Sequence, residues 1–174
     1  MSELEEEWAR VLLQAEQRAR AKGRGDVVEY LALRASNDEA RRTGIEWLFA
    51  TFTEYAGEAN RAGSSVQITK ADAHRFRSGN STMVGTMLTF RLGVRALMIE
   101  AGWPRAPLDG IVRGGGLALA HIRHLGLRAA DEELLLMRST QGAPQWFILE
   151  KTGTRAQLFE ARVRQHIRKF LGAT

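Results

Sequence analysis

The hydrophobic period of this chain changes once, near Gly63, and that change limits the fold more than any motif does. Before it, apolar residues recur at helical spacing. After it come short runs that alternate or are apolar at successive positions, separated by turn residues. A helical section over residues 1–62 and an α+β core over 63–174 are therefore expected, packed as one compact unit.

In the first segment, roughly Glu3 to Lys22, Leu4, Trp8, Val11, Leu12, Ala15 and Ala19 share one helical face. Glu3, Glu5, Glu6 and Glu7 open it and Arg18, Arg20 and Lys22 close it, the order that the helix dipole favours. After "GRGD", Asp26 with Glu29 and Ser36 with Glu39 have capping-box spacing. They predict a short helix near 27–35 and a longer one near 37–62.

Beyond Gly63, "SVQIT" reads as a strand. "TMVGTMLTFR" and "VRALMIEAG" read as a hairpin turning at Leu92–Gly93, and "EELLLMRS" and "QWFILEK" as a second hairpin. These runs are apolar on both sides, which predicts a sheet covered on both faces by helices or by a partner subunit. The predicted order is β-ββ-α-ββ-α, a mostly antiparallel sheet of about five strands.

The helix in the middle of that order is assigned to residues 108–125, which takes in most of "IVRGGGLALAHIRHLG". Leu117, Ala118, Leu119, Ala120 and Leu125 are mostly good helix formers, and Gly126 stands where a cap is wanted. Ile111, Leu117, Ala118, Ile122 and Leu125 then make a buried arc, and the glycines let the helix lie close on the sheet. On this helix His121 sits at the core edge and His124 is more exposed. As a strand, the same segment would send the two histidines to opposite faces.

A second use of the glycines is a cradle for an anion, made by Arg113, Gly114, Gly115 and Gly116 ahead of a helix N-terminus. The segment has neither GxxxxGK[ST] nor GxGxxG. No metal is assigned, because HxxH supplies two ligands where a site needs three or four, and no cofactor is assigned. "MIEAGWPRAPLDG" gives a stiff loop at a strand end, so Glu100, Trp103, Arg105 and Asp109, with His121, are pocket candidates.

The last helix is expected from Thr154, with Gln157 at capping-box spacing and Phe159, Val163, Ile167 and Phe170 as its apolar stripe. Arg155, Arg162 and Lys169 recur every seven residues on one flank. With Arg75 and Arg77 around Phe76 they are the candidate nucleic-acid patch.

Charge enters here. The net +5 comes from 21 arginines and 4 lysines against 20 acids, and it is uneven: residues 1–64 carry 12 acids and 9 bases, residues 154–174 carry 1 and 5. There are no cysteines, which removes disulfides, thiolate metal sites and cysteine nucleophiles. The acidic start lacks a signal peptide's basic region and no apolar run nears the ~18 residues of a membrane span. A cytoplasmic protein without a membrane partner is expected. The leading functional expectation is a non-enzymatic binding or assembly domain, a homo-oligomer that takes an anionic ligand or nucleic acid. The alternatives are a sequence-nonspecific nucleic-acid binder using the basic C-terminal half and a small-molecule or metal-dependent enzyme centred on residues 100–124, with His124 in its set.

Overall fold

A single helix occupies Gly25–Arg61 (α2), preceded by one over Glu3–Ala21 (α1), in a computed structural model that describes residues 3–105, 112 and 114–173. The expected break near Ser36 does not occur. Glu39, expected in a capping box with Ser36, pairs instead with Arg42 at 2.6 Å, and Asp38 beside it pairs with Arg41 at 2.8 Å, both i,i+3 pairs on a continuous helix. None of the helices among the described residues is long and apolar enough to cross a membrane.

The chain divides into two compact units, residues 1–42 and 43–174. The first is helical: α1 and the start of α2, with the Arg34 guanidinium 4.6 Å from the centre of the Trp8 ring. The second holds the rest of α2, a seven-stranded antiparallel sheet and a C-terminal helix, Glu160–Leu171 (α3). The fold is thus α+β with N-terminal helices.

The strands follow one another as a meander, β1 Gln67–Ser78, β2 Ser81–Leu92, β3 Arg95–Trp103, β4 Ala118–His124, β5 Glu132–Arg138, β6 Pro144–Leu149 and β7 Arg155–Gln157. Two of the seven were not expected. β4 replaces the helix assigned to 108–125: Ala118 to Ile122 pair with Leu136 to Glu132 on one side, and Leu119 to His124 with Gly102 to Leu97 on the other. Two ladders of backbone hydrogen bonds outweigh helix propensities that differ by only a few tenths of a kcal/mol per residue. β7 takes the residues expected to open the last helix, which starts instead at Glu160 because Arg155–Gln157 pair with Leu149–Phe147.

Strand register assigns the faces. Phe90, Leu97, Ile99, Ile122, Leu134, Leu136 and Trp146 point to one side, where Leu48, Phe52 and Tyr55 of α2 and Val163, Ile167 and Phe170 of α3 complete the core. Close approach of helix and sheet is set at Gly44, where an added Cβ would lie 2.6 Å from Cδ1 of Leu136. Its carbonyl accepts the Trp146 indole N–H at 2.7 Å. The helix-on-sheet approach expected of the 114–116 glycines thus belongs to Gly44, while Gly116 packs closely within the sheet, where an added Cβ would meet Leu135 Cδ1 and Cγ.

No helix is needed to bury the other side of β1–β4, because the sheet curls. Phe76 of β1 meets His121 of β4 edge to face with ring centroids 5.4 Å apart. Three strand spacings of a flat sheet would separate them by ~14 Å. This concave face buries Phe76, Met83, Leu119 and Leu135.

Candidate functional site

On the concave face the carboxylate of Glu100, only 6% exposed, is the hub of a polar cluster. Its Oε2 lies 2.8 Å from His74 Nε2 and its Oε1 2.9 Å from His121 Nδ1. The Arg123 guanidinium stands 3.0 Å from Oε1. Backbone geometry aims all of these groups. His121 is the direct ladder partner of Glu100, and Arg123 follows it by two residues. His74 reaches the face through a bulge: between Ala71 and His74 β1 has one residue more than β2 has between Gly85 and Met87, and Ala73 absorbs it at φ 53°.

Burial disfavours charge on Glu100, but the hydrogen bonds from His121 and His74 and the charge of Arg123 outweigh it. The carboxyl is held below its ordinary value. An ionised carboxylate only accepts, so the ring nitrogens that face it carry protons. Arg123 Nη2 also lies 3.1 Å from that same His121 nitrogen, which makes Glu100 and not the imidazole its acceptor.

The helix-covered face carries a second cluster. His124, expected to be the more exposed of the two histidines, is 6% exposed, because strand alternation turns it to the side opposite His121. Its Nε2 lies 2.9 Å from Nδ1 of His166 on α3, whose Nε2 lies 2.9 Å from Oε2 of Glu132. Arg162 closes the row on Oε1 of Glu132. The bonds run in one sense: His166 donates to Glu132 and, with both rings neutral, His124 donates to His166. Burial and the neighbouring His166 push the pKa of His124 down to about 4. Burial works against ionisation of Glu132, yet the hydrogen bonds from His166 and Arg162 prevail and bring it to about 2, while Glu132 raises Arg162. Glu132 and Arg162 lie along an open groove of about 740 Å³ that Ile148, Phe159 and Gln165 also line.

Of the pocket candidates, the structure joins Glu100 and His121. Trp103 and Arg105 stack on each other, guanidinium to ring centre 3.7 Å, with Trp103 on the opposite side of β3 from Glu100. Asp109 lies outside the described residues, as does Arg113 of the anion candidate. Gly114 and Gly115 form a tight turn with φ of 97° and 80°, bridged by Val112 and Gly116, and lead into a strand, so no helix N-terminus follows them. The Gly115 N–H bonds to the Val112 carbonyl at 3.0 Å, and the Gly114 carbonyl accepts from Arg155 at 3.2 Å.

The nucleic-acid candidates are dispersed. Arg75 and Arg77 are exposed on β1, the first strand of the sheet, Arg155 is on β7, the last, and Arg162 and Lys169 are on α3, with Arg162 engaged by Glu132. Among the described residues no group of three or more histidines and carboxylates is set to hold a metal ion.

Glu132, Arg123, His74 and His166 are the participants that sequence reasoning missed. His166 had a readable signal: with Val163, Ile167 and Phe170 it completes an i, i+3, i+4, i+7 stripe, which marks a histidine on the buried side of its helix. No protein-family profile, curated protein or solved structure matches this chain.

Proposed function

We propose that this chain is a non-enzymatic binding or assembly domain that works as a homodimer through its N-terminal helical hairpin. The observation that carries the reading is the apolar surface of that hairpin: Trp8, Val11, Leu13, Tyr30 and Leu33 are between 40% and 61% exposed. Among the described residues of 1–42, only Ala19, Leu31 and Ala40 are buried apolar side chains, and Leu12, Ala15, Val27 and Val28 are half-buried. A helical unit near ~40 residues needs a disulfide, a metal or association to be stable, and this chain has no cysteines. A second copy supplies the missing layer by turning two hairpins into a four-helix arrangement about a two-fold axis.

The histidine clusters favour binding over catalysis. Glu100 and Glu132 each accept hydrogen bonds on both oxygens and are held ionised, so neither is poised to exchange a proton near neutral pH. The nucleic-acid alternative draws little from the geometry, since Arg155 and Arg162 are engaged within the sheet unit.

The test is to replace Tyr30 and Leu33 together with glutamate. The wild-type chain is expected to elute as a dimer whose melting temperature rises with protein concentration. The variant is expected to elute as a monomer with the sheet unit still folded. Unchanged size would overturn the assignment of the hairpin as the association surface.

A further inference from the structure

We infer that the hairpins associate through α1, paired antiparallel with α1 of the second copy about an axis between residues 12 and 13. This inference rests on the homodimer proposed above and adds the partner element and its direction. Along α1, Glu7, Val11 and Arg18 are spaced i, i+4 and i+11, which keeps them within ~40° of one another at ~100° per residue. All three are exposed. Neither Glu7 nor Arg18 has an ion-pair partner among the described residues; Arg18 donates only to the Gln14 carbonyl of its own helix, at 3.3 Å, whereas Arg20 is already paired with Glu16 at 2.6 Å.

On the face of α1 that Glu7, Val11 and Arg18 share, charge is segregated, with Glu7 near the helix start and Arg18 in its last turn; Glu6, Arg10, Glu16 and Arg20 lie off that face. Such a helix is complementary to itself only when reversed. About the stated axis, Glu7 of each copy meets Arg18 of the other, twice per dimer, and Val11 meets Gln14. A parallel pairing would set Glu7 against Glu7 and Arg18 against Arg18. Two-fold symmetry makes each contact occur twice, which doubles the effect of any charge change on the helix.

The experiment is charge reversal in the full chain, with dissociation constants from sedimentation equilibrium at low salt. Glu7→Arg and Arg18→Glu are each expected to weaken the dimer about tenfold, with the loss shrinking as salt is added, and the double exchange to restore it to within about threefold. Circular dichroism identifies any variant that has lost helix; Glu7→Gln and Arg18→Gln then replace the reversals, with weakening again expected. A dimer whose affinity ignores both reversals overturns the α1 pairing but leaves the homodimer standing. A dimer strengthened by either glutamine variant overturns the antiparallel direction. A wild-type chain that stays monomeric overturns the homodimer itself.

Discussion

His124 on β4 and His166 on α3 share one hydrogen bond, Nε2 to Nδ1 at 2.9 Å, that ties the centre of the sheet to the C-terminal helix inside the core. His166 is also the donor to Glu132, so a single ring serves two buried polar groups. Replacing His166 with leucine leaves the Glu132 carboxylate short of a donor and the His124 N–H without an acceptor. A loss of about 2–4 kcal/mol is expected. His166→Gln, which can still reach Glu132, should lose less. Urea unfolding checks this through a lower midpoint at unchanged slope.

Acid should act in two stages. His124 has a folded pKa of about 4 against an ordinary 6.5, so the unfolded chain takes up its proton first. The stability it contributes is full above pH 6.5 and is lost as pH falls from there to about 4. Glu132, at about 2 against 4.5, contributes stability that is full above pH 4.5 and is lost between there and about 2. Unfolding free energy measured across pH is expected to decline through both windows, and His124→Gln should remove the upper decline while keeping the lower one.

The Glu100 cluster predicts a tautomer. At a pH where the imidazoles are neutral, His121 should carry its proton on Nδ1 and His74 on Nε2, since these nitrogens face an ionised carboxylate. Long-range nitrogen–proton NMR correlations distinguish the two forms. His121 with its proton on Nε2 would contradict the assignment. Glu100→Ala should release both rings to mixed tautomers and destabilise the fold by about 1–3 kcal/mol.

Gly44→Ala separates helix propensity from packing. Propensity alone favours alanine by about 1 kcal/mol, but the new Cβ would fall 2.6 Å from Cδ1 of Leu136, which is fully buried. Overpacking of a filled core costs about 1–3 kcal/mol, so net destabilisation is expected. The double variant with Leu136→Val should regain part of it in thermal melts.

The change of period near Gly63 was legible, and so were the hairpin turn expected at Leu92–Gly93, which the structure puts at 93–94, and the apolar run of Val163, Ile167 and Phe170 on α3. Each is a local pattern or follows from one. β4 was not legible, because "LALAHIRHLG" has a helix former's composition and its strand character comes from ladders with β3 and β5. The error over His124 follows from that one, since the parity of a strand, once known, places His121 and His124 on opposite faces. Glu132 was hidden for another reason. Its partners lie 30 and 34 residues further along, on a helix that only the fold brings to it.

Sedimentation equilibrium of the unmodified chain, from about 1 to about 100 µM, bears most directly on the proposed assembly. A species of twice 19.4 kDa that dissociates on dilution is expected. A mass of 19.4 kDa at every concentration would contradict it, and would leave the exposed Trp8, Val11, Tyr30 and Leu33 without the partner copy that explains them.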